Sequence, residues 1–203
     1  PYVVTEAGFA ADLGAEKFIH IKCRQAGLNP NAAVLVATIR ALKFHGGVEK
    51  ENLGVENVEA LREGCQNLKT HAENVRKYGL PVVVAINRFP TDTDEELETV
   101  RLFCESIGVD CELSEVVARG GDGGTELAKT VKRLVDETPG APSYLYDLED
   151  NLNTKIEAVA REIYRADGVD YTEEAEASIA RLEENQLDPV SYTHLRAHET
   201  TEH

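Results

Sequence analysis

Residues 32 to 39 have the sequence AAVLVATI, an unbroken run of apolar and β-branched residues. Such a run lacks the polar alternation of a half-buried strand and is typical of a parallel strand covered on both faces. We therefore predict that these residues form a central strand of a parallel sheet. Residues 80–86, LPVVVAI, predict a second buried strand, because their proline lies where a strand can begin without its backbone donor.

Further strands and helices alternate along the chain. We expect one strand to end in Tyr2-Val3-Val4 and a less regular one over residues 109–117. Apolar residues at helical spacing over 56–78, and a capping box of Thr93 with Glu96, predict two of the helices between strands. This alternation predicts an α/β fold, a parallel sheet flanked by helices, with ligands bound at the carboxyl ends of the strands.

The composition changes in residues 138–143, where two prolines and a glycine interrupt the alternation and only amphipathic helices follow. We therefore predict an α/β domain over residues 1–140 and the helical start of a second domain over residues 141–187. Residues 188–203 resemble, from Val190 onward, the translated read-through of a sequencing adapter, and we exclude them from the fold. The chain contains no Met, so we expect that coding sequence upstream of it is missing.

The charge balance excludes several classes of partner. The 203 residues include 21 Lys and Arg against 37 Asp and Glu, a net charge of −16. This disfavours nucleic acids and anionic membranes, which select clustered cations. With no long apolar stretch and no secretory signal, the protein is expected to be soluble and cytoplasmic. Its four cysteines form no C-x-x-C pair, so we expect reduced thiols and no metal site.

Two loops that follow predicted strands carry charged or hydroxyl side chains. The first contains Thr5 and Glu6, which can bind a ligand or simply form the turn that leads into a helix. The second contains Arg40, Lys43 and His45. Arg and Lys suit a phosphate or a carboxylate. Arg40 and Lys43 are also three positions apart, however, so they can equally share an exposed helical face.

Two later loops offer groups suited to a ring system or an anion. Asn87 can present amide donors and acceptors, and Phe89 with Pro90 can form an apolar wall, although Asn and Pro are also ordinary turn formers. Gly121 and Gly123 precede a helix whose backbone N–H groups can face an anion. The phosphate-binding motifs G-x-x-x-x-G-K-[ST] and G-x-G-x-x-G are both absent from the sequence.

The segment VATIRALKFHGG, residues 36–47, resembles the second signature of the formate–tetrahydrofolate ligase family, also called formyltetrahydrofolate synthetase. Two positions depart from the family pattern: Arg88 replaces an Ala, and Ala10 replaces a common Gly. The resemblance covers about residues 1–187. Its other segments, in family order, are TEAGFAADLGAEKF at 5–18, KCRQAGLNPN at 22–31, VVVAINRFPTDT at 82–93, ARGGDGG at 118–124 and IYRADGVDYT at 163–172.

The resemblance implies an ATP-dependent ligase that joins formate to N10 of tetrahydrofolate through formyl phosphate, releasing ADP and phosphate. It also implies a P-loop-type core whose phosphate loop precedes the segment present here, Mg²⁺ bound with ATP, and a homo-oligomer. Arg40, Lys43 and His45 would then be catalytic, because formyl transfer needs cationic support for the departing phosphate. The residues that would bind nucleotide or folate are Thr5, Glu6, Asn87, Phe89, Pro90, Gly121 and Gly123.

Two alternatives to a working ligase stay open. One is a nonenzymatic nucleotide-binding module built on the same sheet, and the other is an inactive truncated reading frame. Because the phosphate-binding motif is absent, we expect the chain alone to be inactive in formyltetrahydrofolate synthesis.

Overall fold

The structure is a computed structural model that describes residues 2–185. These residues form two compact units, one made of residues 30–141 and the other of residues 2–29 together with 142–185. The domain boundaries predicted from the sequence, 1–140 and 141–187, stay a prediction, as does the tail of residues 188–203, which lies outside the described residues.

A parallel sheet of three strands forms the centre of the unit of residues 30–141. The strands are β1 (Ala33–Ala37), β2 (Val82–Asn87) and β3 (Asp110–Ser114), in the order β1-β2-β3. Helices separate consecutive strands along the chain. The prediction of an α/β fold with a parallel sheet flanked by helices is therefore confirmed.

Helices make up most of the remaining regular structure of residues 2–185. In chain order they are α1 (Gly14–Lys17), α2 (Arg24–Ala26), α3 (Ile39–His45), α4 (Val58–Lys77), α5 (Asp94–Ser106), α6 (Val116–Arg119), α7 (Thr125–Glu137), α8 (Leu152–Glu162) and α9 (Glu173–Glu184). A π-helical segment, Phe18–Cys23, joins α1 to α2, and short 3₁₀ helices span Lys50–Asn52 and Gly120–Gly124. None of the helices formed by residues 2–185 is both long and apolar enough to cross a membrane.

Helix starts in the sheet unit follow the local signals in the sequence. The side-chain oxygens of Thr38 and Asn57 accept backbone hydrogen bonds at the starts of α3 and α4. Thr93 and Glu96 form the predicted capping box of α5. Each cap satisfies N–H groups that the helix itself leaves without partners.

The order of the strands corrects one prediction. β2 rather than β1 lies in the middle, and its residues Val82 to Ile86 are all buried. In β1, Val34 and Val36 are 42% and 58% exposed. An apolar run shows that a strand is hydrophobic, but it does not show how many neighbours the strand has, because those neighbours are distant in sequence.

The expected strand at Tyr2-Val3-Val4 is also wrong. These residues adopt no regular structure, and Val3 is 94% exposed. A strand needs a neighbour to satisfy its backbone groups. In the part of the chain that the structure describes, the sheet consists of β1, β2 and β3 and does not include this segment.

Two glycines bring α3 and α4 unusually close together. A Cβ atom on Gly64 would lie 1.8 Å from the carbonyl oxygen of Leu42, and one on Gly46 would lie 1.8 Å from that of Ala60. Both distances are far below van der Waals contact, so only glycine fits. Gly46, in the HGG sequence that ends the segment of residues 36–47, therefore allows α3 and α4 to pack closely.

The unit of residues 2–29 and 142–185 contains a buried histidine. His20 Nδ1 lies 2.9 Å from Glu16 Oε1, and His20 Nε2 accepts a hydrogen bond of 3.1 Å from the backbone N–H of Leu145. The ring of Tyr146 stacks on the imidazole at a centroid distance of 4.5 Å. The helical region of residues 14–26 ends at Gly27, which has a left-handed φ of 63°.

Candidate ligand-binding site

The carboxyl end of β2 leads directly into a tight turn. Asn87 is the last residue of β2 and pairs in register with Ser114 of β3. Beyond Arg88, the backbone N–H of Asp92 donates to the carbonyl of Phe89 at 3.0 Å. The backbone N–H of Phe89 in turn donates to Asp92 Oδ2 at 2.7 Å. The turn therefore holds Phe89 at the strand edge where parallel sheets bind ligands.

Two candidates that are distant in sequence meet at this turn. The segment of Arg40, Lys43 and His45, expected as a loop, is instead helix α3. The guanidinium carbon of Arg40, in the first turn of α3, lies 4.8 Å from the centre of the Phe89 ring. Arg40 also donates from Nη2 to Thr91 Oγ1 at 3.2 Å. Its Nε is buried and has no hydrogen-bond partner. Phe89 is 38% exposed and Pro90 is exposed, so this pair forms a partly open apolar wall beside a cation.

Lys43 lies in the interior instead. It is 1% exposed, and its Nζ donates to Glu96 Oε1 at 2.7 Å and to the carbonyl of Val55 at 2.8 Å. The alternative of an exposed helical face shared with Arg40 is therefore wrong for Lys43. A catalytic role for Lys43 stays a prediction, and its donors are engaged within the protein.

Glu96 joins three elements through its buried carboxylate. It accepts hydrogen bonds from Lys43 and from the backbone N–H groups of Asn57 and Thr93, the latter two at 3.1 and 3.2 Å. Burial alone would raise the pKa of Glu96, but these hydrogen bonds outweigh it and hold the pKa below its ordinary value. The carboxylate is thus ionised and fully engaged at neutral pH.

His45 ends α3 and is exposed. Its ring lies 6.2 Å from the ring of Phe44, centre to centre, in an edge-on arrangement. The structure therefore places His45 on the surface at the opposite end of α3 from Arg40. Its catalytic role stays a prediction.

A cleft of about 540 Å³ opens beside the turn, between β2, β3 and α5. Arg88 bridges its walls, with 3.2 Å separations from Asp94 Oδ1 and from Glu115 Oε1, and Arg119 pairs with Glu115 at 2.9 Å. The hydrogen bond from Arg119 holds the pKa of Glu115 below its ordinary value. The sequence does not reveal these partnerships, because no local pattern joins residue 88 to residue 115.

Gly123, one of the two candidate residues in the glycine loop, has a role in packing. A Cβ on Gly123 would lie 2.5 Å from the backbone of Glu115, and the Gly123 carbonyl accepts the Glu115 N–H at 3.0 Å. Gly121 is exposed, and a Cβ there would meet nothing within 4 Å. Gly123 lines the cleft, and ligand binding by either glycine stays a prediction.

The remaining candidates, Thr5 and Glu6, belong to the unit of residues 2–29 and 142–185. Both are exposed and lie outside any helix or strand. Their predicted role in binding nucleotide or folate stays a prediction.

The side chains of residues 2–185 include no group of three or more His, Cys, Asp or Glu suited to hold a metal ion. The described residues therefore do not provide the ligands that a magnesium ion bound directly by the protein would need. A magnesium ion that accompanies ATP would need the nucleotide's own phosphates as its ligands.

Comparison with known protein families connects these features to a reaction class. The sequence model of the family described as formate–tetrahydrofolate ligase matches residues 1–196. The match extends past residue 187, where the resemblance noted from the motifs ended, and covers nearly the whole sequence. The chain therefore belongs to the formate–tetrahydrofolate ligase family.

Proposed function

We propose that this chain supplies part of an ATP-dependent ligase site that joins formate to tetrahydrofolate. The products would be 10-formyltetrahydrofolate, ADP and phosphate, with formyl phosphate as the intermediate. Family membership supports formate–tetrahydrofolate ligase function at the family level. The observation that carries the residue-level proposal is the meeting of Arg40 with Phe89 at the carboxyl end of β2.

Phe89 and Pro90 are suited to hold a flat heterocycle, either the pterin of tetrahydrofolate or the adenine of ATP. The Phe89 ring is partly exposed, and an aromatic face binds another ring by offset stacking. Asn87 lies at the end of the same strand, where its amide can hydrogen-bond the edge of that ring. These three residues together would bind and orient the ring substrate.

Arg40 would supply the positive charge of the site. Its guanidinium lies against Phe89, and its buried Nε has no hydrogen-bond partner. A guanidinium stabilises carboxylate and phosphate groups by charge-assisted hydrogen bonds. In formyl transfer, that support is needed as negative charge collects on the departing phosphate.

The other assignments in the proposal come from the sequence. Lys43 and His45 are kept as catalytic candidates, and Thr5, Glu6, Gly121 and Gly123 as candidates for binding nucleotide or folate. A P-loop core, Mg²⁺ carried by ATP, a homo-oligomer and a cytoplasmic location complete it. Because the sequence has no G-x-x-x-x-G-K-[ST] motif, we expect no formyltetrahydrofolate synthesis by this chain alone.

Calorimetric titration of the chain with tetrahydrofolate, and separately with ATP, tests the proposal. Phe89→Ala should weaken binding of one of these ligands by about tenfold or more, because stacking on an aromatic ring is worth about 1–3 kcal/mol. Phe44→Ala is the control, since Phe44 is also a half-exposed phenylalanine of the same unit. Unchanged affinity for both ligands in Phe89→Ala would remove this wall from the site.

The outcome also separates the ligase from the nonenzymatic alternative. Binding of tetrahydrofolate that depends on Phe89 supports the ligase. Binding of ATP without any binding of tetrahydrofolate favours a nucleotide-binding module.

A further inference from the structure

Asp92 forms hydrogen bonds with both backbone polar groups of Phe89. Its carboxylate Oδ2 accepts the Phe89 N–H at 2.7 Å, and its own backbone N–H donates to the Phe89 carbonyl at 3.0 Å. Pro90 lies between them, and its ring fixes a further backbone angle of the turn. The main chain of Phe89 therefore has little freedom while Asp92 is in place.

The burial of Asp92 is unusual for an acidic side chain in a surface turn. The residue is 6% exposed, and its second carboxylate oxygen, Oδ1, is buried without a hydrogen-bond partner. An unsatisfied buried acceptor lowers stability. Maximal stability of the turn therefore does not explain this carboxylate, and a buried unsatisfied group calls for another explanation.

The partners of Phe89 indicate what that explanation is. One side of its ring is covered by the Arg40 guanidinium, which is also tied to Thr91 in the same turn. Phe89 is nevertheless 38% exposed. Any movement of the Phe89 backbone would change both the stacking surface and its contact with Arg40.

We propose that Asp92 is a positioning residue for ligand recognition. By holding the backbone of Phe89, its carboxylate sets the aromatic wall in its binding position before a substrate heterocycle arrives. This inference rests on the proposed function, because it takes the ligand of Phe89 to be the ring of tetrahydrofolate or ATP. A wall that is already ordered spares the ligand the entropy cost of ordering it.

Amide hydrogen exchange at Phe89, followed by NMR on the full chain, tests the positioning step without any ligand. Asp92→Ala should accelerate exchange at that amide by about tenfold or more, because its acceptor is lost. Asp92→Asn retains an acceptor oxygen and should restore protection to within about threefold of the wild type. Thr91→Val is the matched control, since it changes the same turn without touching the acceptor of the Phe89 N–H.

The binding step is tested by titrating the same variants with tetrahydrofolate and with ATP. The ligand whose affinity depends on Phe89 should bind about tenfold more weakly to Asp92→Ala and within about threefold of wild type to Asp92→Asn. A purely structural role would lower the melting temperature of Asp92→Ala and leave the affinity of its folded fraction unchanged. That result would overturn the inference.

The two proposals fail in different ways. If the wild-type chain binds neither tetrahydrofolate nor ATP, the proposed function is contradicted, and amide exchange still decides whether Asp92 positions Phe89. If Phe89 exchanges equally fast in wild type and Asp92→Ala, the positioning inference is overturned whatever binds. Should Asp92→Ala fail to fold, an unprotected Phe89 amide in the wild type or in Asp92→Asn overturns it.

Discussion

Lys43 and Glu96 form an enclosed ion pair, with 2.7 Å between Nζ and Oε1 and side-chain exposures of 1% and 0%. The pair joins α3 to the first turn of α5, and the carbonyl of Val55 accepts a second hydrogen bond from the ammonium group. Both charges are thus satisfied by fixed partners. This arrangement makes the pair sensitive to the loss of either member.

Lys43→Met should lower the free energy of unfolding by about 3–5 kcal/mol, because it leaves the Glu96 carboxylate buried without its counter-charge. Urea denaturation of the purified chain measures this. Lys129→Met is the matched control: Lys129 pairs with Glu126 at the same 2.7 Å distance, but the two side chains are 67% and 68% exposed. An exposed pair contributes about 0–1 kcal/mol. Equal losses in the two variants would contradict an interior role for Lys43.

The stability of the chain should depend on the protonation of Glu96. Its pKa in the folded state is lowered, so its contribution to stability is complete above the unfolded-state pKa of about 4.3. That contribution is lost as the pH falls through the lower folded-state pKa. Unfolding free energies of wild type and Glu96→Gln, measured from neutral pH into the acid range, should therefore converge as the pH falls. A difference that stays constant would contradict the prediction.

Ala10→Gly should stabilise the chain by about 0.5–1 kcal/mol. Ala10 has a left-handed φ of 58°, which costs a residue with a Cβ about 1–2 kcal/mol. Glycine removes that cost, although its freedom in the unfolded chain returns about 0.4–1 kcal/mol. Ala11→Gly, next to it, should instead destabilise, because Ala11 is not among the residues of positive φ. Thermal melting curves that rank the two variants the other way would contradict the strain at Ala10.

Gly64→Ala should destabilise the chain by about 2–3 kcal/mol or more, even though alanine is the better helix former. The new methyl group would lie 1.8 Å from the Leu42 carbonyl, so α3 and α4 would have to separate. Gly54→Ala is the control, since a Cβ at Gly54 meets nothing within 4 Å. Denaturant midpoints compare the two, and an unchanged midpoint for Gly64→Ala would show that the helices separate readily.

Arg40→Lys should weaken the proposed site while keeping its charge. Lysine lacks the planar group that lies over Phe89 and the fork that can bind an anion through two hydrogen bonds. A loss of about 1.5–3 kcal/mol corresponds to about ten- to a hundredfold in catalytic efficiency. Steady-state kinetics in a ligase that carries this segment together with a phosphate loop measure the effect. Wild-type efficiency, with an unchanged melting curve, would remove Arg40 from the site.

Local patterns predicted β2 and the cap of α5 because both are determined by neighbouring residues in the sequence. The position of β1 at one side of the described sheet depends on residues far along the chain, and its apolar run could not reveal this. The same limit applies to the site. Arg40 and Phe89 were each candidates, but their contact joins helix α3 to a turn 49 positions further along the chain. Glu96 was recognised as a capping residue, whereas its second role as the partner of Lys43 required the folded structure.

The unpaired edge of β1 affects how the protein behaves in concentrated solution. β1 contains no charged residue, and within residues 2–185 it is paired along one edge only. An uncharged open edge is a template onto which another chain can add. The net charge of −16 opposes this addition by electrostatic repulsion between chains. Salt reduces the range of that repulsion to about 8 Å at physiological ionic strength and leaves the strand edge unchanged. The chain should therefore be most soluble in dilute buffer, and added salt should promote its self-association.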